Sequence, residues 1–150
     1  MCRRDSSQIA HGCVLGDGVV LSNQAALAGS VKVGNGAILG GYAIVHQYCS
    51  LGEYCFCAMG SAVNKDIPSF VKVQGNPAKP FGVNTVGLKR LGFTSETLEA
   101  IKSAYRTFYR KKLTSKEALL ELKESNSNDS LKEIESFIAS IESSSRGIAR

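Results

Sequence analysis

The chain of 150 residues has no tryptophan, two histidines and three prolines, and only 7% of it is aromatic. So few aromatic residues leave no row of exposed rings for base stacking, and no nucleic-acid motif is present, so nucleic acid is not an expected partner. No stretch of about eighteen apolar residues exists to span a bilayer. Met1-Cys2-Arg3-Arg4-Asp5 leads into polar residues rather than the apolar segment of a secretion signal. These absences predict a cytoplasmic protein without membrane insertion. Five cysteines, an odd number, argue against a disulfide framework in such a chain.

That first part carries a repeat. Every sixth residue from Ile9 gives Ile9, Leu15, Leu21, Leu27, Val33, Leu39, Val45, Leu51, Cys57 and Val63. Four places after each stands a smaller residue: Cys13, Val19, Ala25, Val31, Ala37, Ala43, Cys49, Cys55, Ser61. A period of six fits neither an amphipathic helix nor a lone strand. It fits a parallel β-helix of triangular cross-section, three short strands to a turn, with the aliphatic column filling the prism. Glycines such as Gly16, Gly34, Gly40 and Gly52 suit corners where a Cβ would collide or φ is unusual. Cys13, Cys49 and Cys55 fall in the small inward column and Cys57 in the aliphatic one, and they read as small core residues.

Three hexads per turn align residues eighteen apart, one strand spacing of about 4.8 Å between them. His11, Gly29 and Gln47 then form one column, Gly12, Ser30 and Tyr48 the next, and Asn23, Gly41 and Met59 a third. The pattern opens at Ile9 without a cap, so further coils are expected upstream. Its run to Val63 predicts about three turns, and the prolines of the segment 66–78 are expected to end the ladder.

From Thr94 the period becomes helical. Leu98, Ile101, Tyr105 and Phe108 follow Thr94 as N-cap; Thr114 with Glu117, and Ser130 with Glu133, read as capping boxes of two more helices. A loop over 125–129 separates these, and 143–150 reads as a loose tail. The expected organisation is therefore coils and exit segment over 1–80 and a helical domain over 81–150.

The net charge of +5 concentrates in the second half, on Lys89, Arg90, Lys102, Arg106, Arg110, Lys111, Lys112 and Lys116. Such a face is either a solvated helix surface or a dock for an acidic partner. His11 and His46 lie in different columns and do not make the three-histidine zinc site that some repeat enzymes share between chains. His11 faces outward, where an imidazole can take a proton from a hydroxyl nucleophile, and the stacked Gly29 offers a bare backbone N–H for a developing oxyanion. Exposed histidines are more often without function than with it, and spacing alone does not decide.

A set of motifs adds to this. Ile9-Ala10-His11, Ser22-Asn23-Gln24-Ala25-Ala26-Leu27-Ala28-Gly29, Gly40-Gly41-Tyr42-Ala43-Ile44-Val45-His46-Gln47-Tyr48, the segment from Gln74-Gly75-Asn76-Pro77 to Val83-Asn84, and Gly87-Leu88-Lys89-Arg90-Leu91-Gly92-Phe93 occur in colinear order. Together they resemble the acyl-[acyl-carrier-protein]:UDP-N-acetylglucosamine O-acyltransferases that begin lipid A biosynthesis, from Ile9 to Ser145-Arg146-Gly147. The resemblance implies a left-handed β-helix with a C-terminal helical appendage and a homotrimer with active sites between neighbouring chains. It implies transfer of a 3-hydroxyacyl group from the phosphopantetheine thioester of acyl carrier protein to the 3-hydroxyl of UDP-N-acetylglucosamine, with no bound cofactor or metal. His11 would be the general base and the Gly29 amide the oxyanion donor. His46, Gln47, Asn84 and Arg90 match positions that bind the nucleotide sugar or lie near its phosphates, and the basic helices would meet the acidic carrier protein. Asn23 and Met59 are assigned to substrate binding, Met59 lining the acyl groove and predicting a shortened one.

The chain departs from the family at Gly12, where an aspartate usually supports the base, at Gln8 and Ser30, where histidines are usual, and at Leu91, where a second arginine is common. The family's upstream coils also carry sugar-binding groups. A non-catalytic trimeric scaffold or regulatory paralogue would keep the same stack, as would hexapeptide acyltransferases that use acyl-CoA.

Overall fold

The coils are built of strands two residues long, and from Gln8 to Val63 each closes on a member of the six-step column that is more buried than the residue before it. In chain order these are β1 (Cys2–Arg3), β2 (Gln8–Ile9), β3 (Val14–Leu15), β4 (Val20–Leu21), β5 (Ala26–Leu27), β6 (Lys32–Val33), β7 (Ile38–Leu39), β8 (Ile44–Val45), β9 (Ser50–Leu51), β10 (Phe56–Cys57) and β11 (Ala62–Val63). The structure, a computed structural model, describes residues 2–3 and 6–150, with side chains from residue 6 onward. The strands stack as three parallel faces: β1-β4-β7-β10 on one, β2-β5-β8-β11 on the second and β3-β6-β9 on the third. Register advances by eighteen, as in Gln8 against Ala26 and Ala26 against Ile44.

Four rungs on the second face make about four turns, where the hexads alone predicted three. The ladder also begins before Ile9. Arg3 pairs with Leu21 and stands where the column calls for an aliphatic residue, so the sequence pattern hides this rung.

The prism is filled from Val19 and Leu21 upward by both inward columns, with Leu21, Leu39, Ala37, Cys55 and Cys57 fully buried. Each leucine so buried contributes about 1.5–3 kcal/mol. Cys49, Cys55 and Cys57 are free, buried thiols, and half-buried Cys13 donates from Sγ to the Ala28 carbonyl at 3.1 Å. Burial, with Asp66 adding to it, pushes the Cys49 thiol up to about 11; the Cys57 hydrogen bond and burial raise Cys55. These thiols are core, as the repeat implies.

The corners divide two demands that the sequence reading had joined. At Gly34 and Gly40 the need is space: a Cβ would stand 2.6 Å from Glu53 N and 2.7 Å from Met59 N. Two residues further into each turn, every sixth residue from Gly12 to Gly60 has φ between 53° and 73°. This left-handed column includes Gln24, Ser30, Tyr42, Tyr48 and Tyr54, although the conformation costs a non-glycine residue about 1 kcal/mol.

Pro68 does not stop the ladder. β12 (Val71–Gln74) stacks in parallel on β10 with a step of sixteen, Cys57 against Val73, and β13 (Lys79–Val83) then turns back antiparallel to it. The reversal in β13 ends the coil winding, and this strand runs across residue 80.

Four helices follow: α1 (Thr85–Arg90), α2 (Ser95–Tyr109), α3 (Ser115–Asn126) and α4 (Lys132–Glu142). The short α1 precedes the helices expected from Thr94. Thr94 caps α2, and Thr114 with Glu117 forms the expected capping box of α3. Ser130 does not cap α4: it has φ of 45°, Leu131 takes the N-cap position without a side-chain bond, and Asn126 secures Leu131 N at 3.0 Å instead. Ser125 and Asn126 belong to α3 rather than to a loop. The helices close on Phe108, which meets Phe137 edge to face at 6.3 Å, with Ile101, Leu122 and Ile134 buried around them.

The tail is not loose. Asp66, 1% exposed, accepts from Ser50 N at 2.7 Å through Oδ1, and from Ser144 Oγ at 2.6 Å, Ser145 N at 3.1 Å and Arg146 N at 3.2 Å through Oδ2. Ala149 is buried, and Arg150 lies over the Phe108 ring at 4.6 Å. Serines complete the joint: Ser69 N donates to Ser140 Oγ at 3.0 Å, and Ser136 Oγ to Glu53 at 2.9 Å.

Candidate active site

After β2 the chain turns through Ala10, His11 and Gly12, and at this corner His11 is exposed. One coil above, β5 leads into the same turn at Ala28, Gly29 and Ser30. Ser30 N donates to His11 O at 3.0 Å and Tyr48 N to Gly29 O at 3.0 Å, which locks the column. The imidazole lies against the bare face of Gly29: a Cβ there would stand 3.5 Å from both Cε1 and Nε2.

The Gly29 N–H takes no acceptor among the described residues. Its counterparts on the neighbouring corner are used, Asp17 N by Asn35 Oδ1 at 2.8 Å and Glu53 N by Ser69 Oγ at 3.1 Å. A proton acceptor and an unspent donor thus share one exposed corner. Gln47 tops the column, exposed, and His46 beside it has Nδ1 3.2 Å from the Gln47 carbonyl. With its proton on Nδ1, His46 donates there and leaves Nε2 free to accept.

The second face carries a groove of about 760 Å³ with an apolar floor including Ala26, Ala28, Ile44 and Ala62, and a polar rim including Gln8, His46, Asn64 and Asn76. Asn76 also lines a second groove, of about 670 Å³, with Met59, Pro77 and Phe81. Met59 is 77% exposed and stands on the third column, where Gly60 N donates to Gly41 O and Tyr42 N to Asn23 O. Asn64 was legible as the residue eighteen beyond His46. Asn76 was not, since the period has already broken there.

Asn84 and Arg90 lie elsewhere, the first buried and the second on the surface. Asn84 is 7% exposed; its Nδ2 donates to Tyr54 O at 3.0 Å, and its Oδ1 accepts from Gly87 N at 3.3 Å. Its carboxamide therefore fastens α1 to the Tyr54 corner, one corner on from His11. Arg90 ends α1 and is exposed, beside exposed Lys89. Among the described residues no group of three His, Cys, Asp or Glu side chains is placed to hold a metal, and no helix is long and apolar enough to cross a membrane.

The profile of the family described as Udp N-acetylglucosamine O-acyltransferase, domain 2, matches residues 66–149, more than half of the chain. The chain belongs to this family. Among curated members of the UDP-N-acetylglucosamine O-acyltransferase family, it is 44% identical over 95 residues to the acyl-[acyl-carrier-protein]--UDP-N-acetylglucosamine O-acyltransferase of Pseudomonas fluorescens, a match spanning 63% of this chain and 36% of that one. The Pseudomonas aeruginosa LESB58 protein of the same description is 46% identical over the same shares. In solved structures, UDP-N-acetylglucosamine O-acyltransferase from Moraxella catarrhalis RH4 superposes with a TM-score of 0.90 at 35% identity, covering 99% of this chain and 59% of that one. The Arabidopsis enzyme of the family gives 0.90 at 33%, covering 97% and 53%. The chain thus spans about half the length of the solved family members it matches. Its coils, helical appendage and docked tail share their fold.

Proposed function

We propose that this chain carries out O-acyl transfer from acyl carrier protein to the 3-hydroxyl of UDP-N-acetylglucosamine, the opening step of lipid A biosynthesis, in the cytoplasm and as a homotrimer. The observation that carries this is the His11 imidazole lying over the bare face of Gly29, 3.5 Å from where a Cβ would stand. In the reaction, His11 takes the proton of the sugar 3-hydroxyl as its oxygen attacks the thioester carbonyl. The Gly29 N–H donates to the oxyanion, and collapse breaks the C–S bond, the pantetheine sulfur leaving with the proton that His11 returns. No metal or redox step is needed.

The apolar groove beside His46 suits an acyl chain, and its continuation past Asn76 brings that chain to Met59, whose exposed side chain shortens the space. Asn84 holds α1 so that Arg90 can meet phosphate bidentately. Because α1 sits one corner from His11, a three-fold ring of chains would turn the α1 corner of one chain toward the His11 corner of its neighbour. Gln47, His46 and Asn23 then line the path between them. The basic helices present the complement of an acidic carrier protein.

A second reading, a non-catalytic trimeric scaffold, is favoured by Gly12: it supports His11 with no side chain, and Ser30 Oγ lies 2.9 Å from where its Cβ would be. His11→Ala decides between them. Loss of transfer to UDP-N-acetylglucosamine by about a hundredfold or more, followed by mass spectrometry of the acylated sugar nucleotide, is the expected result. No transfer by the unmodified protein leaves the scaffold.

A further inference from the structure

The His11 imidazole has no hydrogen-bond partner among the described residues, and Gly12 beside it has no side chain to offer one. A histidine that takes a proton at Nε2 needs an acceptor for Nδ1–H, which fixes the tautomer and the ring and steadies the imidazolium that forms. A carboxylate does this best, and the coils hold few. Between Gln8 and Val63 only Asp17 and Glu53 carry one, and Glu53 is taken by Ser136 Oγ at 2.9 Å. Asp17 is exposed, and among the described residues its carboxylate makes neither an ion pair nor a hydrogen bond. Only its backbone is engaged, N donating to Asn35 Oδ1 at 2.8 Å and O accepting from Gly36 N at 2.8 Å.

Within one chain the two residues cannot meet. His11 stands on the corner after β2 and Asp17 on the corner after β3, so a whole side of the prism, roughly 20 Å at about 3.3 Å per residue, parts them. Between two chains they can. Asp17, Asn35 and Glu53 stack eighteen apart beside Tyr54, whose carbonyl holds Asn84, so this is the corner that carries α1. The three-fold ring that turns the α1 corner of one chain toward the His11 corner of its neighbour brings the whole of this column with it. Rotation about an axis along the coils moves no residue up or down, so each rung meets its own rung. Six residues are a third of a coil, a rise of about 1.6 Å, and the residue level with His11 on the facing corner is therefore Asp17. Gly12 and Gly18, with φ of 73° and 68°, leave both corners bare for the approach.

We propose that Asp17 of the neighbouring chain is the positioning carboxylate of His11, accepting from Nδ1–H across the interface. This rests on the acyl-transfer reading and on its trimer. Asp17 stays ionised throughout and touches no substrate; the proton that His11 takes from the sugar hydroxyl still leaves with the sulfur.

The test uses the full chain in two arms. In the first, His11→Cys and Asp17→Cys chains are co-expressed and treated with a short bis-maleimide. A cross-linked dimer joining one variant to the other is expected, absent from either variant alone. In the second, Asp17→Asn is expected to lower kcat about tenfold to a hundredfold, with KM, melting temperature and oligomeric state unchanged, and Asp17→Glu to recover part of the loss. Co-expression of Asp17→Asn with His11→Ala is expected to restore about a quarter of the unmodified activity, because about one junction in four then joins an intact His11 to an intact Asp17. Absence of the cross-link in a trimer, or full activity in Asp17→Asn, overturns the proposal while leaving acyl transfer standing. No recovery on co-expression places the effect of Asp17 inside its own chain and overturns it too, and a fall in melting temperature or a smaller oligomer makes Asp17 an interface group only. An unmodified protein that is monomeric or transfers no acyl group removes the acyl-transfer reading and this one with it.

Discussion

The coils and the helices solve the same problem, satisfying the backbone, in opposite ways. In the coils the strand amides reach partners a full turn away, as Val20 N does to Ala37 O and Ile38 N to Cys55 O, and the inward side chains only have to be small or aliphatic. In the helices the partners are local, and side chains at the ends do the work, Thr94 for α2 and Thr114 with Glu117 for α3. A fault in a coil therefore reaches the coils stacked on it, whereas a fault in a helix end stays where it is. The His11 and Gly29 pair sits on the first kind of scaffold, which holds two residues eighteen apart within contact.

Substitutions can break this contrast. Gly52→Ala forces a Cβ into the Ser69 backbone and is expected to destabilise by about 4 kcal/mol or more in urea unfolding; a loss near 1 kcal/mol would mean the last coil yields like a helix end. Asp66→Ala tests the joint between the two regions. It strands the Ser50, Ser145 and Arg146 amides and is expected to cost about 3 kcal/mol, with faster amide exchange at residues 144–149. Protection retained there would show the tail held by Ala149 and Arg150 alone. Thr114→Ala is expected to lose about 1 kcal/mol, and Ser130→Ala close to none, because only the first caps a helix. Equal losses would restore a cap at Ser130.

The smallest effect is in pH. The Thr114 amide bond, with its hydroxyl, lowers the pKa of Glu117 below the ordinary 4.5. A carboxyl lowered in the folded state stabilises above its unfolded value, and that stability is lost as pH falls through the folded one. Exposed Glu117 should thus contribute to α3 above pH 4.5 and lose this below it, with circular dichroism of Glu117→Gln flat over the same range.

The sequence made the coils legible because a two-residue strand leaves so little freedom: one inward side chain per side, one period. Where the period changes, legibility ends. The sixteen-residue step from Cys57 to Val73 hid the last rung, and an arginine in place of an aliphatic residue at position 3 hid the first. The left-handed column escaped notice because Tyr42, Tyr48 and Tyr54 stand in it where glycine would announce it. Of the site, the His11 and Gly29 pairing followed from counting, while Asn84's use as a fastening and Asn76's place between two grooves depend on the exit hairpin and α1, which no period describes. The tail read as loose because its anchor, Asp66, is some eighty residues away and looks like an ordinary charge.

The register of eighteen has a genetic consequence. Lengthening the coil region by six residues between His11 and Gly29 would keep the aliphatic column in step, yet it would swing the glycine around the prism by a third of a revolution and part it from His11. Additions outside the interval leave the pair in register, so between His11 and Gly29 eighteen residues is the one spacing that holds it together.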